Sequence, residues 1–287
     1  MGASVVASDD NAPSGRSAQR PLPGAAGRRR EPVAPALEHA PAHGTDLLDE
    51  PVRFGAANPA LLALLRQLRL LARDSEGTFI SLHRGQVVCD RDEIFQYVYF
   101  PLTARFAYEC VLDDGRSIEL ASAGDDSFAG WPLITGGNSM PFRTTVSVAG
   151  MAFCCTASAL SACLLAEPSL ETRMLDCIHV LFAEISQRAA CIKLHTVDQQ
   201  VACCLLTLHD RSAYTTLDIS AASLARALGV TDRSVRSALR RLVSDGIVAS
   251  PRGAVSILDR ARLEARSCEC YRVLRSFYRH PQGDGTR

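Results

Sequence analysis

The stretch SLARALGVTDRSVRSALRRLVSDGIVASPRGAV, residues 223–255, constrains this chain more than any other. Ser220 is placed to cap a helix through Leu224, Ala225 and Leu228, and Gly229 stands where such a helix ends in the left-handed region. Thr231 can cap a second helix, with Asp232 favoured in its first turn by the helix dipole. On that helix Val235, Leu239 and Leu242 share one face and demand a core, while Arg233, Ser237 and Arg240 share the other, flanked by Arg236 and Arg241. Beyond Gly246, IVAS and AVSIL flank Pro251-Arg252-Gly253, the pattern of a hairpin wing. Helix, glycine turn and helix is the arrangement whose second helix enters the DNA major groove N-terminus first. Arginine suits that place because its planar fork bonds guanine O6 and N7 together or clamps a phosphate. The residues expected at double-stranded DNA are Thr231, Arg233, Ser234, Arg236, Ser237, Arg240, Arg241 and Arg252. Arg233 and Arg236 would reach bases, and Arg240, Arg241 and Arg252 phosphates. The contrasting reading is a winged-helix corner used for protein contacts alone, as in an anti-repressor.

The charge distribution agrees with a DNA-facing C-terminal segment. The 287 residues carry 31 basic and 31 acidic side chains, yet residues 196–287 hold 14 basic against 9 acidic. Lys193 is the only lysine. No apolar run of about 18 residues exists, so no membrane span is predicted. The first 20 residues lack the apolar core of a secretory signal, and the expected location is cytoplasmic. The eleven cysteines are spread through apolar segments, which reads as reduced thiols packed as small hydrophobes.

Residues 1–50, rich in Pro, Ala, Gly and Arg, bury too little apolar surface to offset ordering entropy and are expected to be disordered, as are 281–287. A short helix is predicted at 59–72. From about 77 to 158 come short β-type runs: FISLH, GQVVC, QYVYF, ARFAYECVL, RSIELA, RTTVSV and MAFCCTA. Turn signals separate them, Asp114-Gly115 being a strong hairpin cue. This predicts a β domain over 51–167, a roll, barrel or sandwich. Pro168 then opens a helix over 168–195, roughly 39 Å long. Its apolar stripe Met174, Ile178, Leu181, Ile185, Ala189 and Ile192 is expected to pack against a second copy, making a homodimer; the alternative is packing wholly on its own domain. Residues 196–280 form the predicted winged helix-turn-helix domain.

β-roll, long helix and winged helix-turn-helix, in that order, resemble the cyclic AMP receptor protein/fumarate-nitrate regulator (Crp/Fnr) family over about residues 59–275. The segments carrying the likeness are RGQVV, VYFPLTARFAYECVLDDGRSIELASAGDD and HTVDQQVACCLLTLHDR, which runs into LDISAASLARALGVTDRSVRSALRRLVSDGIV. The chain also resembles a branch with AACxxxH (Ala189–His195) and CECY (Cys268–Tyr271). The expected fold class is α+β: a cyclic-nucleotide-binding-like β-roll, a long dimerisation helix and a C-terminal winged helix-turn-helix. The resemblance implies a homodimeric transcription factor on inverted-repeat operators, with RNA polymerase as partner and an effector site in the β-roll. The implied pocket positions are Gly130, Trp131, Arg143 and Thr144. Members that bind cyclic AMP carry Gly-Glu and then Arg-Ser at these places, and Trp131 cannot accept a ribose hydroxyl, so cyclic AMP is not the expected signal. The cysteine cluster of the iron–sulfur branch, before the β-roll, is absent, since the first cysteine is Cys89. Crp-type readers carry Glu and Arg where Arg233 and Ser237 stand, so the usual half-sites are not implied.

No cofactor is expected. Cys191 and His195, at i and i+4 on one helix face, could with Cys268 and Cys270 form a metal or redox switch. Against this, residues i and i+2 on a helix point about 200° apart, so Cys268 and Cys270 would converge only if the helix frays. No nucleophile elbow, P-loop or GxGxxG motif marks an enzyme. Asp113-Asp114 and Asp125-Asp126 fall at turns, where Asp serves the backbone.

Overall fold

The computed structural model describes residues 58–71, 73, 76–211, 215–251 and 253–279. Both terminal tails expected from the sequence, and Arg252, lie outside these residues. The chain enters through α1 (Pro59–Leu70), capped by Asn58, whose side-chain oxygen accepts from the Ala60 and Leu61 amides. The Asn58 amide group donates to the Ser127 carbonyl at 2.9 Å, which ties the helix to the sheets behind it. Leu61, Leu64, Leu65 and Leu68 are buried against them.

Seven strands follow: β1 (Gly77–Leu82), β2 (Val87–Cys89), β3 (Tyr97–Pro101), β4 (Arg105–Val111), β5 (Ser117–Ala123), β6 (Arg143–Val148) and β7 (Gly150–Thr156). They form two sheets, ordered β1-β7-β3 and β2-β6-β4-β5, with antiparallel pairing throughout. This is the β-roll. The β4–β5 hairpin turns at Asp114-Gly115, where Gly115 takes a φ of 82° that a side chain would resist. Between the sheets Phe100 stacks on Phe128 at 5.5 Å, and the buried Tyr108 hydroxyl donates to the Phe128 carbonyl at 2.8 Å. Helix α2 (Ala157–Ala166) has no counterpart in the periodicity reading. Its sequence, ASALSACLLA, is apolar around most of its circumference and carries no stripe.

Helix α3 (Pro168–Leu194) runs for 27 residues, with Pro168 in its first turn and Glu167 capping the Ser169 amide. The structure corrects the expected seam. Met174 and Leu181 are buried in the β-roll's own core, with Ile178 and Ile185 packed beside them. The apolar groups facing outward are Leu175 and Phe182, the latter 69 % exposed, with Ala189 further along. Leu175, Ile178, Phe182, Ile185, Ala189 and Ile192 alternate three and four apart, the spacing of a coiled-coil seam. The helix therefore uses one stripe inward and an adjacent one outward.

The remaining chain forms α4 (Val197–Asp210), β8 (Thr216–Leu217), α5 (Ala221–Leu228), α6 (Asp232–Ser244), β9 (Val248–Ala249), β10 (Val255–Ile257), α7 (Arg260–Arg266) and α8 (Glu269–Arg279). Strands order as β8-β10-β9, the small sheet of a winged helix. One core joins α4, α5, α6 and the wing through Leu205, Leu224, Val235, Leu239 and Val248.

A buried ionic network fastens this domain to the roll. Glu184 of α3, 3 % exposed, faces Arg188 at 3.6 Å and Arg211 at 3.4 Å. Arg188 also donates to the Glu119 and Ala227 carbonyls, each at 3.3 Å. Arg211 bonds Asp126 at 2.8 Å and Ser122 Oγ at 3.2 Å, and its guanidinium lies 4.6 Å from the Tyr278 ring centre. Burial alone would lower the Arg211 pKa; Asp126, Tyr278 and Glu184 outweigh it and raise it. Arg105, which donates to the Arg211 carbonyl, is held down to about 10 by burial and the Arg211 charge. The helix-turn-helix corner itself touches the roll, since a Cβ at Gly229 would come 2.7 Å from Ile118 Cδ1 of β5.

Two expectations follow. Arg211→Met leaves Glu184 and Asp126 short of their counter-charge and should cost about 3–5 kcal/mol in urea unfolding. Gly229→Ala should cost about 1–2 kcal/mol, set by the φ of 65°. The Ile118 side-chain tip can move aside, so pairing it with Ile118→Ala should recover only a minor part of that loss in a double-mutant cycle.

Candidate functional site

Helices α5 and α6 meet at the Gly229 turn as the sequence pattern implied. Ser220 Oγ accepts from the Ser223 amide and Thr231 Oγ1 from the Ser234 amide. Gly229 is left-handed, and its amide bonds the Ala225 and Arg226 carbonyls. These caps fix where each helix starts and therefore which way α6 turns its side chains. Val235, Ala238, Leu239 and Leu242 are buried on its inner face.

The outer face holds Arg233, Arg236, Arg240 and Arg241, all exposed, with Ser234 and Ser237 half-buried between them. They are not equivalent. Arg236 pairs with Asp232 at 2.5 Å, one helical turn earlier. Arg241 is held in a two-pronged bond by Asp198 of α4, at 2.5 and 3.0 Å, and donates to Ser237 Oγ at 2.9 Å. Among the described residues, Arg233 and Arg240 have no acidic partner within salt-bridge distance. The Asp232–Arg236 pairing was legible from its i, i+4 spacing. Asp198, 43 residues from Arg241 in sequence, carried no such signal.

Of the four positions suggested for an effector, Arg143 and Thr144 lie in β6, and Gly130 and Trp131 in the turn that follows β5. Gly130 is left-handed at a φ of 101°, with the Tyr97 carbonyl 3.1 Å from where a Cβ would lie, so the turn admits little but glycine. Trp131 opens a short 3-10 turn and packs its ring 6.2 Å from that of Phe142. Arg143 donates from one guanidinium edge to both Asp90 carboxylate oxygens, Nε at 2.9 Å and Nη2 at 3.2 Å. Burial would raise the Asp90 pKa, but the Arg143 bonds outweigh it and lower it. Thr144 is fully buried in β6, paired across to Tyr108 and Cys89. A cavity lies elsewhere, where roll, long helix and last helix meet. It holds about 240 Å³ and is lined by Asn58, Asp126, Cys177, Glu184, Arg211 and Tyr278. No sequence signal pointed to it, because its walls come from five separated segments.

The cysteine candidates do come together. Ser267 ends α7 in an extended conformation, so Cys268 precedes α8 instead of lying within it. The objection from helical spacing therefore falls away. Cys191, His195, Cys268 and Cys270 place their ligand atoms all within 4.8 Å of one another. Burial holds the Cys154 thiol protonated, pushing it up to about 12. Cys154-Cys155 lie in β7 and Cys203-Cys204 in α4, as buried strand and helix positions. His179 lies on α3 with its ring 6.0 Å from Phe277.

Comparison with known proteins places this geometry. Residues 199–266 match the Crp-like helix-turn-helix domain. FixK2 from Bradyrhizobium japonicum superposes with a TM-score of 0.61 at 19 % identity, covering 67 % of this chain and 98 % of FixK2. TTHB099, a CRP-family transcriptional regulator from Thermus thermophilus, gives 0.57 at 18 % identity, covering 65 % and 95 %. The c-di-GMP-responsive global regulator CLP from Xanthomonas campestris gives 0.53 at 18 %, covering 68 % and 97 %. Among proteins of curated function, none matches the chain by sequence. Among the described residues no helix is long and apolar enough to cross a membrane. Residues 199–266 thus belong to the Crp-like helix-turn-helix domains, carried on a chain with the fold of Crp/Fnr transcriptional regulators.

Proposed function

We propose that this protein is a homodimeric DNA-binding transcriptional regulator that reads inverted-repeat operators and answers to a signal other than cyclic AMP, received by the β-roll. The observation that carries the reading is the outer face of α6. It offers Arg233 near the helix N-terminus and Arg240 two turns on, both exposed and without an acidic partner among the described residues. In a helix-turn-helix the N-terminal end of the second helix approaches base edges, so Arg233 is the base reader and Arg240 the phosphate contact. Arg236 must exchange Asp232 for a base edge, and Arg241 must exchange Asp198 for a phosphate. Thr231, Ser234 and Ser237 lie on the same surface, and the sequence adds Arg252 as a further phosphate contact. RNA polymerase is the partner such a regulator meets at a promoter.

The dimer reading rests on Leu175, Phe182 and Ala189, an outward apolar line that water would otherwise cover. Pairing two copies along α3 would set the recognition helices about 34 Å apart, one DNA turn. Against cyclic AMP stand Trp131 in place of a ribose-binding carboxylate and Arg143 already committed to Asp90.

Selection of bound fragments from random DNA should return a palindrome with half-sites about one helical turn apart. Cyclic AMP should leave the selection unchanged. A stronger selection with cyclic AMP, or a non-palindromic consensus, would count against this assignment. With that probe, Arg233→Ala should lose about 1–3 kcal/mol on the cognate site and relax one base position. Arg240→Ala should weaken all sequences alike and reduce the salt slope by about 1. Phe182→Glu should turn the dimer into a folded monomer in sedimentation analysis; an unchanged dimer would place the seam elsewhere.

A further inference from the structure

Two segments that are far apart in sequence, 191–195 and 268–270, deliver four ligands to one place. Cys191 sits in the last turn of α3 and His195 is its C-cap, so both lie at the same end of that helix. Cys268 occupies the break before α8, and Cys270 lies in that helix's first turn. The Cys191 and Cys268 sulfurs are 3.6 Å apart, and Cys270 Sγ lies 3.4 Å from His195 Nδ1. Zn–S bonds of about 2.3 Å and Zn–N bonds of about 2.0–2.1 Å at tetrahedral angles put ligand atoms roughly 3.5–3.8 Å apart. The two measured separations fall close to that spacing, and no pair of the four exceeds 4.8 Å.

The surroundings match a metal site better than a packed group of thiols. His195 turns Nδ1 toward the sulfurs and Nε2 toward the Glu269 carboxylate, at 3.3 Å. A metal-bound histidine commonly donates its second ring N–H to a carboxylate in this way, which fixes its tautomer and orientation. The Gln187 side-chain amide donates to Cys270 Sγ at 3.1 Å, a bond that would stabilise a thiolate. Gln200 donates to the His195 carbonyl at 2.8 Å and to the Cys191 carbonyl at 3.3 Å, holding the end of α3 in the shape that presents both ligands. The three cysteines are buried. Thiols packed only as small hydrophobes require neither the histidine nor its carboxylate.

We propose that Cys191, His195, Cys268 and Cys270 bind one Zn²⁺ in a tetrahedral Cys₃His site that fastens the last helix of the DNA-binding domain to the end of the long helix. All four positions are filled by protein, so the site is structural, with no place for a substrate or water. Binding converts three thiols to thiolates and leaves the imidazole neutral. Three protons go to solvent, the Zn(Cys)₃(His) unit carries a net charge of −1, and no electron is transferred. The ligand atoms stand too close together for an iron–sulfur cluster, whose thiolates are spread around a cubane or a two-iron rhomb.

The test uses the full-length chain and reads metal, so its failure is distinct from a failure to bind DNA. Elemental analysis of the purified protein should find about one zinc per chain. Chelation should release it and expose three further thiols to Ellman's reagent. Replacement by Co²⁺ should give the intense visible bands of a tetrahedral ion and a near-ultraviolet thiolate charge-transfer band. Cys268→Ser with Cys270→Ser should abolish both signals, Cys154→Ser in β7 should keep them, and Glu269→Gln should weaken zinc affinity about tenfold or more. The wild-type chelation and cobalt measurements stand even if the double variant does not fold. A folded wild-type protein without stoichiometric zinc, a pale octahedral cobalt spectrum, or a native Cys191–Cys268 disulfide in its mass spectrum would overturn the proposal.

Discussion

Glu184 is a carboxylate in the middle of a long helix with almost none of its surface in water. Leaving that charge unpaired would cost several kcal/mol, so the structure around it is built to supply positive charge. Arg188, one turn further along α3, and Arg211, at the end of α4, both reach it. Each guanidinium then directs its remaining donors to a different part of the chain. Arg188 bonds β5 through the Glu119 carbonyl and α5 through the Ala227 carbonyl; Arg211 bonds Ser122 and Asp126 of the roll and packs on Tyr278 of α8. One buried charge thereby sets the positions of the β-roll, the helix-turn-helix and the last helix relative to α3.

This arrangement has consequences for how a signal would travel. The DNA-reading corner touches β5 at Gly229 and Ile118, and Arg188 crosses the same gap. Burial raises the Glu119 carboxyl pKa, against the pull of Arg188. A ligand in the adjoining cavity would meet Asp126, Glu184 and Arg211 directly. Differential contact with those groups in two orientations of the helix-turn-helix is the kind of bias that shifts a two-state equilibrium. At the positions inferred by family resemblance, Arg143 bonds Asp90 and Trp131 packs beside Phe142.

The long helix shows why a stripe in sequence underdetermines a surface. Met174, Ile178, Leu181, Ile185, Ala189 and Ile192 form one apolar line by spacing, yet a helix that touches its own sheet and faces outward needs two. Which line faces inward depends on where the β-roll sits. Met174 and Leu181 went to the core, and Leu175 and Phe182 were left to solvent. The cysteines show the same limit in another form. Counting about 100° per residue separated Cys268 from Cys270, but the chain breaks between α7 and α8, and outside a helix that count does not apply.

What the sequence determined by itself was local: caps at Ser220 and Thr231, the left-handed Gly229, the Asp114-Gly115 hairpin, and the division of α6 into an apolar and an arginine face. Each rests on interactions spanning a few residues, which is why it was legible without the fold. The tertiary structure alone decided which arginines of α6 are tied to acids, which face of α3 stays outward, and that Cys191 and His195 meet Cys268 and Cys270. Most of those outcomes join residues dozens of positions apart. They follow from how buried charge and apolar surface are satisfied together, which spacing along one element does not encode.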